Sequence, residues 1–444
     1  MKINFLLPVF CWIFLALFAI DCTPRRIGAV DTRPPVKPGT KPNKYEPIDT
    51  VRWTDPANPK PPIQNGPGRR PNNETGNFSK ETYRVALLLP FLTNQAQQGT
   101  VPEKSKLGLQ FYTGVKIALE AHAKAGGPNI QLDVYDTQAS DADFQAVLNN
   151  RNLAKAQVLV GPIRNAHVQR AAEWAKTNRK ILISPESPSS GIATQQPDFI
   201  QINPSLRAHC EMIAQYVNAR MKNSTVTLLC KQKEADRLPY FQDYLKAIGA
   251  AAYGEMIVSD ETLNFDKTNF APFFKPGKTA VFILPTWASQ DFVMAFFRKL
   301  KAVKGNNAVA VFGMPQWKNF ESIDPEYLLA LNVHITAASY IAYQSPEIQA
   351  FQQAFYDKTG TIPDEDGFNG YDITRWLCTM LGNHGLSFPE RLQGNDQHLL
   401  HGNFHMVPVF NDGVVGDAFK PYDYMENKFV HILQFKKYGF EPVE

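Results

Sequence analysis

The sequence lacks the features that mark several common protein classes. It has 46 Lys and Arg residues against 42 Asp and Glu residues, a net charge of +4 over 444 residues. This balance gives no reason to expect a polyanionic partner such as nucleic acid. The sequence contains no Gly-x-Ser-x-Gly elbow, no His-Glu-x-x-His pair and no recognisable nucleophile with its base. We therefore expect neither an enzyme nor a cofactor.

Cysteine is also scarce. Only Cys210, Cys230 and Cys378 follow the first 22 residues, an odd set without the spacing of metal ligands. We interpret all three as small buried hydrophobic residues. A disulfide between Cys210 and Cys230, formed in an oxidising compartment, is the alternative.

Three histidines lie close together near the C-terminus. They are His398, His401 and His405. Gly402 interrupts any helix that would align them, and no nearby cysteine or acidic pair completes a ligand set. We expect surface histidines here and no bound metal.

The N-terminus is typical of an exported protein. Lys2 precedes an apolar run over 5–20, and Cys22 follows it. We assign 1–22 to an export signal. The stretch 17–22, Leu-Phe-Ala-Ile-Asp-Cys, resembles the lipobox of bacterial lipoproteins, which implies acylation of Cys22 and a lipid anchor in a membrane. A simple secretory signal and an uncleaved anchor are the alternatives, although the run is slightly short for a span.

The next segment, 23–80, is rich in proline and poor in large apolar residues. About a dozen prolines stand among Asn, Gly, Lys and Arg. Such a composition cannot form a core, so we predict a disordered tether that holds the folded body away from a membrane.

From Tyr83 onward, apolar strands alternate with helix-length amphipathic segments, which predicts an α/β fold with parallel sheets. Strands are predicted over 84–89, 130–135, 158–160, 180–184, 200–202, 225–229, 279–284, 308–312 and 333–340. Helices are predicted over 107–125, 142–153, 166–178, 206–221, 238–248, 289–300, 345–359 and 370–381. Two similar blocks of this kind imply two lobes, each a mostly parallel sheet flanked by helices.

The late elements are too isolated to form a third domain, so they must complete sheets begun earlier. We predict that 81–205 and 334–386 form the first lobe and that 206–333 and 387–444 form the second. The chain would then cross between the lobes more than once. Such crossings make a multi-strand hinge with a ligand cleft between the lobes.

Several motifs, in this order, resemble one family. They are Val160-Gly161-Pro162, Ile183-Ser184-Pro185 and Asn369-Gly370-Tyr371-Asp372, with the helix around 111–119. Together they are similar to type I periplasmic binding proteins of the branched-chain amino-acid receptor group. Within that group, the segments 87–91, 111–114 and 312–317 are closest to envelope lipoproteins often joined to peptidoglycan-binding LysM modules. The same fold occurs in outer-membrane lipoprotein activators of peptidoglycan synthases.

The resemblance implies a ligand site in the loops at two strand ends of the first lobe. In the first loop, Arg164 and Asn165 precede a helix whose N-terminus would favour a carboxylate, and Arg164 could add a bidentate contact. In the second loop, Glu186 could bind an ammonium group, and the hydroxyls of Ser187 and Ser189 are further candidates. Ordinary turn and capping chemistry is the alternative for both loops.

Three residues of the second lobe follow predicted strands and are also candidates for the cleft. They are Asp236, Trp287 and Trp317. Packing between helices is the alternative for each tryptophan, and a solvated loop charge is the alternative for Asp236.

We therefore expect an extracytoplasmic, lipid-anchored binding protein of a Gram-negative-type cell envelope. It would capture a small polar ligand, an amino acid or a peptide-like compound, and could present it to an ABC permease. The alternative is an envelope protein that regulates peptidoglycan synthesis by binding a protein partner such as a synthase.

Overall fold

Two separate sheets, of eight and seven strands, organise the described part of the chain. The computed structural model describes residues 49–53 as backbone only, and residues 81–97, 100–262, 264–411 and 422–443. The predicted signal, the predicted acylation site Cys22 and most of the predicted tether lie outside these residues.

The strands are β1 Asp49–Trp53, β2 Thr82–Leu89, β3 Asn129–Asp136, β4 Val158–Val160, β5 Ile181–Ser184, β6 Phe199–Gln201, β7 Ser224–Lys231, β8 Gly254–Val258, β9 Thr279–Ile283, β10 Val309–Gly313, β11 Val333–Ala337, β12 Gln397–His398, β13 Asn403–Phe404, β14 Met406–Val409, β15 Tyr424–Asn427, β16 His431–Lys436 and β17 Gly439–Pro442. The helices are α1 Lys106–Ala125, α2 Asp141–Leu148, α3 Asn165–Asn178, α4 Leu206–Arg220, α5 Leu238–Ala247, α6 Gln290–Val303, α7 Pro325–Ala330, α8 Pro346–Thr359 and α9 Glu365–His384.

The first sheet has the order β1-β3-β2-β4-β5-β6-β15-β14, and the second has the order β17-β16-β11-β10-β9-β7-β8. All pairings in the centre of each sheet are parallel, and the antiparallel pairings lie toward the edges. The predicted fold class, two lobes built from mostly parallel sheets flanked by helices, is confirmed.

Burial on both faces of the first sheet explains why its strands are continuously apolar. Along β2, Val85, Leu87 and Leu89 pack into one core, and Ala86 and Leu88 pack into another on the opposite face. Successive side chains of a strand point to opposite faces, so a strand covered by helices on both sides needs apolar residues at every position. The second sheet has its own core on β7, β9, β10 and β11.

Helices α1 and α9 pack so closely that glycines are required at their contact. A Cβ on Gly114 would lie 2.1 Å from the carbonyl oxygen of Gly367, and a Cβ on Gly370 would lie 2.0 Å from that of Phe111. No other residue type lets two helix backbones approach to this distance. This contact fixes α9, and with it the polar side chains at its N-terminal end, against the first lobe.

The chain passes between the two sheets three times within the described residues. It does so between β6 and α4, between β11 and α8, and between β15 and β16. The predicted multi-strand hinge is therefore present.

Three predicted boundaries differ from the structure. The range 334–386 was assigned to the first lobe, but 334–337 belong to β11, which pairs with β10 and β16 in the second sheet. The range 387–444 was assigned to the second lobe, but β14 and β15 complete the first sheet through the pairing of β15 with β6; only β16 and β17 of that range join the second sheet. The predicted tether contains β1, whose residues Asp49–Trp53 pair antiparallel with β3. Sequence periodicity missed β1 and the place of β15 in the first sheet because each is paired with a strand distant in the chain.

Candidate functional site

A cavity of about 240 Å³ lies between the two lobes. Its lining comes from loops that follow β5, β6, β9, β10, β11 and β15, together with the first turns of α4 and α9. The carboxyl ends of parallel strands are where open α/β sheets bind ligands, because side chains from several strands converge there. The cavity is therefore the candidate ligand site.

Glu186, after β5, forms part of the first-lobe wall. Its Oε1 accepts a hydrogen bond of 2.7 Å from Nδ2 of Asn369 on α9. Its backbone carbonyl accepts another, of 2.8 Å, from Nδ2 of Asn203. The turn after β5 and the start of α9 are thus joined at one side chain.

Acidic residues surround this carboxyl group. Burial, and then the negative charges of Asp366 and Glu365, raise the pKa of Glu186 to about 8, although the Asn369 hydrogen bond lowers it. Burial, and then the charges of Asp364 and Glu365, raise the pKa of Asp366 to about 7. Asp364 itself caps α9 by accepting from the backbone N–H groups of Asp366 and Gly367. Carboxyl groups in a cleft whose pKa values are raised in this way are typical of binding sites.

His209 and Trp287 form a facing wall from the second lobe. His209 is 2% exposed and lies in the first turns of α4, which Ser205 caps. Its ring meets that of Trp287 edge to face, with 6.1 Å between the centroids. Burial, and then the charge of Lys428, lower the pKa of His209 to about 3, so the ring is neutral at physiological pH.

Asp372 and His401 form a buried pair at the base of the cavity. The Asp372 carboxylate accepts hydrogen bonds from the backbone N–H groups of Leu400, His401 and Gly402 at 2.9–3.0 Å. It also contacts Nδ1 of His401 at 2.7 Å. Because a carboxylate only accepts, Nδ1 donates in this contact, and Nε2 has no partner among the described residues. Asp372 on α9 therefore fixes both the turn at 400–402 and the orientation of the His401 ring.

An ion pair joins the lobes at the mouth of the cavity. Nζ of Lys318, after β10, contacts Oε1 of Glu365 in the first turn of α9. Both side chains are substantially exposed, so the pair contributes little to stability by itself. Because the pair links the two lobes, their relative placement depends on the charges of Lys318 and Glu365.

The eight predicted site residues are all described, and the structure brings two of them together: Glu186 and Trp287 line the cavity. Arg164, at the N-terminus of α3, donates instead to the carbonyl of Ala139 and lies 3.3 Å from Nε2 of His167. Its neighbour Asn165 opens the same helix. Neither side chain lines the cavity.

The other four predicted residues also lie outside the cavity lining. Ser187 is buried, and its Oγ accepts from the backbone N–H of Ser189 at 3.4 Å. Asp236 is exposed. Trp317 is 3% exposed, donates from Nε1 to the carbonyl of Thr286 at 2.8 Å, and packs in the core of the second lobe.

Sequence reasoning missed most of the cavity's polar residues. His401 was predicted to lie on the surface and is instead buried against Asp372. His405 is paired with Asp396, and His398 with Asn403. Asn369 and Asp372 stood in a motif that supported the family resemblance, and that motif was the available signal. His209 and Lys318 carried none.

A second concavity, of about 660 Å³, lies on the outer face of α2 and α3. It is wide and shallow, its walls are exposed side chains such as Arg170 and Glu173, and it is remote from the strand ends. The smaller cavity between the lobes is the better candidate for a ligand site, because buried polar groups from both lobes converge on it.

Comparison with family models matches residues 103–393 to a model described as periplasmic binding protein. The chain belongs to the periplasmic binding protein family. This confirms the resemblance seen in the sequence. Membership implies an extracytoplasmic location, and the family consists of binding proteins and not of enzymes.

Solved structures support the fold of this periplasmic binding protein at low sequence identity. A branched-chain amino acid ABC transporter periplasmic ligand-binding protein from Burkholderia xenovorans has a TM-score of 0.55 and 14% identity over 82% of this chain and 94% of that one. An ABC transporter substrate-binding protein from Desulfitobacterium hafniense, in complex with Leu, has a TM-score of 0.52 and 16% identity over 82% and 100%.

LpoA from Haemophilus influenzae is also similar, with a TM-score of 0.53 and 15% identity over 84% of this chain and 60% of that one. Comparison with curated sequences finds no significant match. Among the described helices, none is both long enough and apolar enough to cross a bilayer.

Proposed function

We propose that this protein captures a small polar ligand in the cavity between its lobes. The observation that carries the proposal is the lining itself. Polar side chains from the first lobe, such as Glu186 and Asn369, face His209 and Gln316 of the second across about 240 Å³. That volume corresponds to about eight waters at ~30 Å³ each, which suits a compound the size of an amino acid.

Capture would proceed by closure of the lobes. A ligand that contacts both walls stabilises the closed form. The stabilisation equals the free energy of those contacts that the ligand makes in the closed form and not in the open form. The three chain crossings provide the hinge, and the ion pair of Lys318 with Glu365 joins the two lobes. In a transport system, the closed form would be presented to an ABC permease. Acylation of Cys22 would hold the protein at a membrane surface.

The experiment is thermal unfolding of the full chain against amino acids, amines, short peptides and muropeptides. A binding compound at a hundred times its dissociation constant stabilises the folded state by about 2.7 kcal/mol. We expect a saturable rise in the midpoint with one compound class. No shift across the panel would refute capture of a small ligand.

A second candidate function is regulation of peptidoglycan synthesis through a protein partner. The proline-rich stretch after the predicted signal supports it, since reach across a periplasm serves such a regulator. The likeness to LpoA is consistent with it. Co-purification of a peptidoglycan synthase with the full chain, together with an unresponsive ligand panel, would favour this function over capture.

A further inference from the structure

Several hydrogen-bond donors of the cavity lining already have partners within the protein. Three of its amide side chains already donate to the protein. Asn203 and Asn369 donate to Glu186, and Asn427 donates to the carbonyl of Asn403 at 3.1 Å. The ammonium of Lys318 is paired with Glu365. One N–H of each of these amides and the ammonium of Lys318 are therefore engaged by the protein before any ligand arrives.

The acceptors are not committed in the same way. His401 is 5% exposed, and among the described residues its Nε2 has no hydrogen-bond partner. His209 is 2% exposed, and the same holds for its Nδ1. A buried polar atom without a partner costs stability, and both rings belong to residues of the cavity lining.

Most ionisable side chains of the lining are acidic. Besides His209 and His401, they are the carboxyl groups of Glu186, Glu365 and Asp372 and the ammonium of Lys318. Arg164, the cation that the sequence offered for a carboxylate, lies against Ala139 and His167 instead. An anionic group would lie among these carboxyl groups, and the described lining holds no unpaired Lys or Arg to offset the repulsion.

The fold itself shows that an ammonium is accepted at this acidic end. Lys318 of the second lobe reaches across to Glu365, whereas Glu186 receives only the neutral amide of Asn369. A metal ion is a poor alternative occupant, because no three His, Cys, Asp or Glu side chains of the described chain are placed to hold one.

We propose that the ligand is a donor-rich organic cation, an amine or guanidine without a free carboxylate, whose charged group binds at Glu186 between the two lobes. This inference rests on the proposed function, because it names the class of compound captured in the same cavity. It differs from capture of a zwitterionic amino acid, since the lining residues that the structure describes offer no unpaired Lys or Arg for the carboxylate of that ligand.

The test is calorimetric titration of the full chain with matched pairs that differ by one carboxylate. The pairs are agmatine and arginine, putrescine and ornithine, and tyramine and tyrosine. In at least one pair we expect the amine to bind ten or more times tighter than its amino acid. Amino acids that bind as tightly as their amines, or a set without any cationic binder, would overturn the inference.

Two variants connect the preference to the proposed residue. Glu186→Gln keeps the shape and the Asn369 contact but cannot ionise when a cation binds, so the tenfold preference for the amine should disappear while a circular dichroism spectrum stays unchanged. Glu173→Gln removes an exposed charge on α3 outside the cavity and should leave the preference intact. A preference that survives Glu186→Gln would overturn the assignment to this carboxyl group.

Different results would refute the proposed function and the inference about ligand charge. If only neutral or anionic compounds bind, capture in the cavity stands and the charge inference is wrong. If no compound of any class binds or shifts the unfolding midpoint, both the proposed function and the inference are wrong.

Discussion

The carboxyl group of Glu186 should make the free energy of unfolding fall as the pH rises. Its pKa is raised to about 8 in the folded protein from an ordinary value of 4.5, first by burial and then by Asp366. Between these two values, the folded state keeps a proton that the unfolded state has lost. The protonated carboxyl therefore contributes its full stability below about pH 4.5, and that contribution is lost progressively as the pH rises to 8.

One proton corresponds to about 1.4 kcal/mol per pH unit. The side chain of Glu186 is partly exposed, so solvent screening reduces this slope. We expect Glu186→Gln, which cannot ionise, to gain about 1 kcal/mol over the wild type between pH 6 and pH 8. Urea unfolding at pH 5, 6, 7 and 8 measures the difference between the two proteins at each pH.

The difference between the variant and the wild type isolates Glu186 from its surroundings. The other charged or titratable groups of the cavity and its rim are Glu365, Asp366 and Asp372 on α9, His401, and His209 and Lys318 across the cavity. They remain in both proteins. Glu173→Gln, on the exposed face of α3, should show a difference that does not depend on pH. Parallel pH curves for Glu186→Gln and the wild type would refute the reasoning.

Two further substitutions test the scaffold around the cavity. Gly370→Ala places a Cβ 2.0 Å from the Phe111 carbonyl and should lower the free energy of unfolding by about 3 kcal/mol or more, whereas Gly382→Ala, with 3.4 Å to its nearest atom, should be neutral or slightly stabilising. Asp372→Asn loses a carboxylate that holds three backbone N–H groups and should cost roughly 2–3 kcal/mol. Urea unfolding measures all three variants; a Gly382→Ala loss equal to that of Gly370→Ala, or an unchanged Asp372→Asn midpoint, would contradict these assignments.

Most helices and central strands were predictable because their signals are local. The prediction of a strand over 158–160 is identical to β4, and a helix predicted over 107–125 became Lys106–Ala125. Apolar alternation and capping residues lie within each segment, so no distant partner is needed to read them. The strands β14 and β15 are short, and their place in the first sheet depends on a pairing with β6, more than two hundred residues earlier.

The site was less predictable for a related reason. Glu186 and Trp287 were found because each follows a strand, where the sheet topology alone directs a residue toward the cleft. His209 and Asn369 lie on helices, and which helix turn faces the cleft is set by the packing of α4 and α9. Arg164 is also at a strand end, but the side chain turns toward Ala139 and His167.

The most direct test of the central claim is to fill each of the two concavities in turn. Gln316→Trp places a large ring in the cavity between the lobes, and Gln145→Trp places the same ring in the outer groove of α2 and α3. Calorimetric titration with the compound that raises the unfolding midpoint would compare both with the wild type. The account predicts that Gln316→Trp abolishes binding and that Gln145→Trp leaves the affinity unchanged. Full affinity in Gln316→Trp would contradict it.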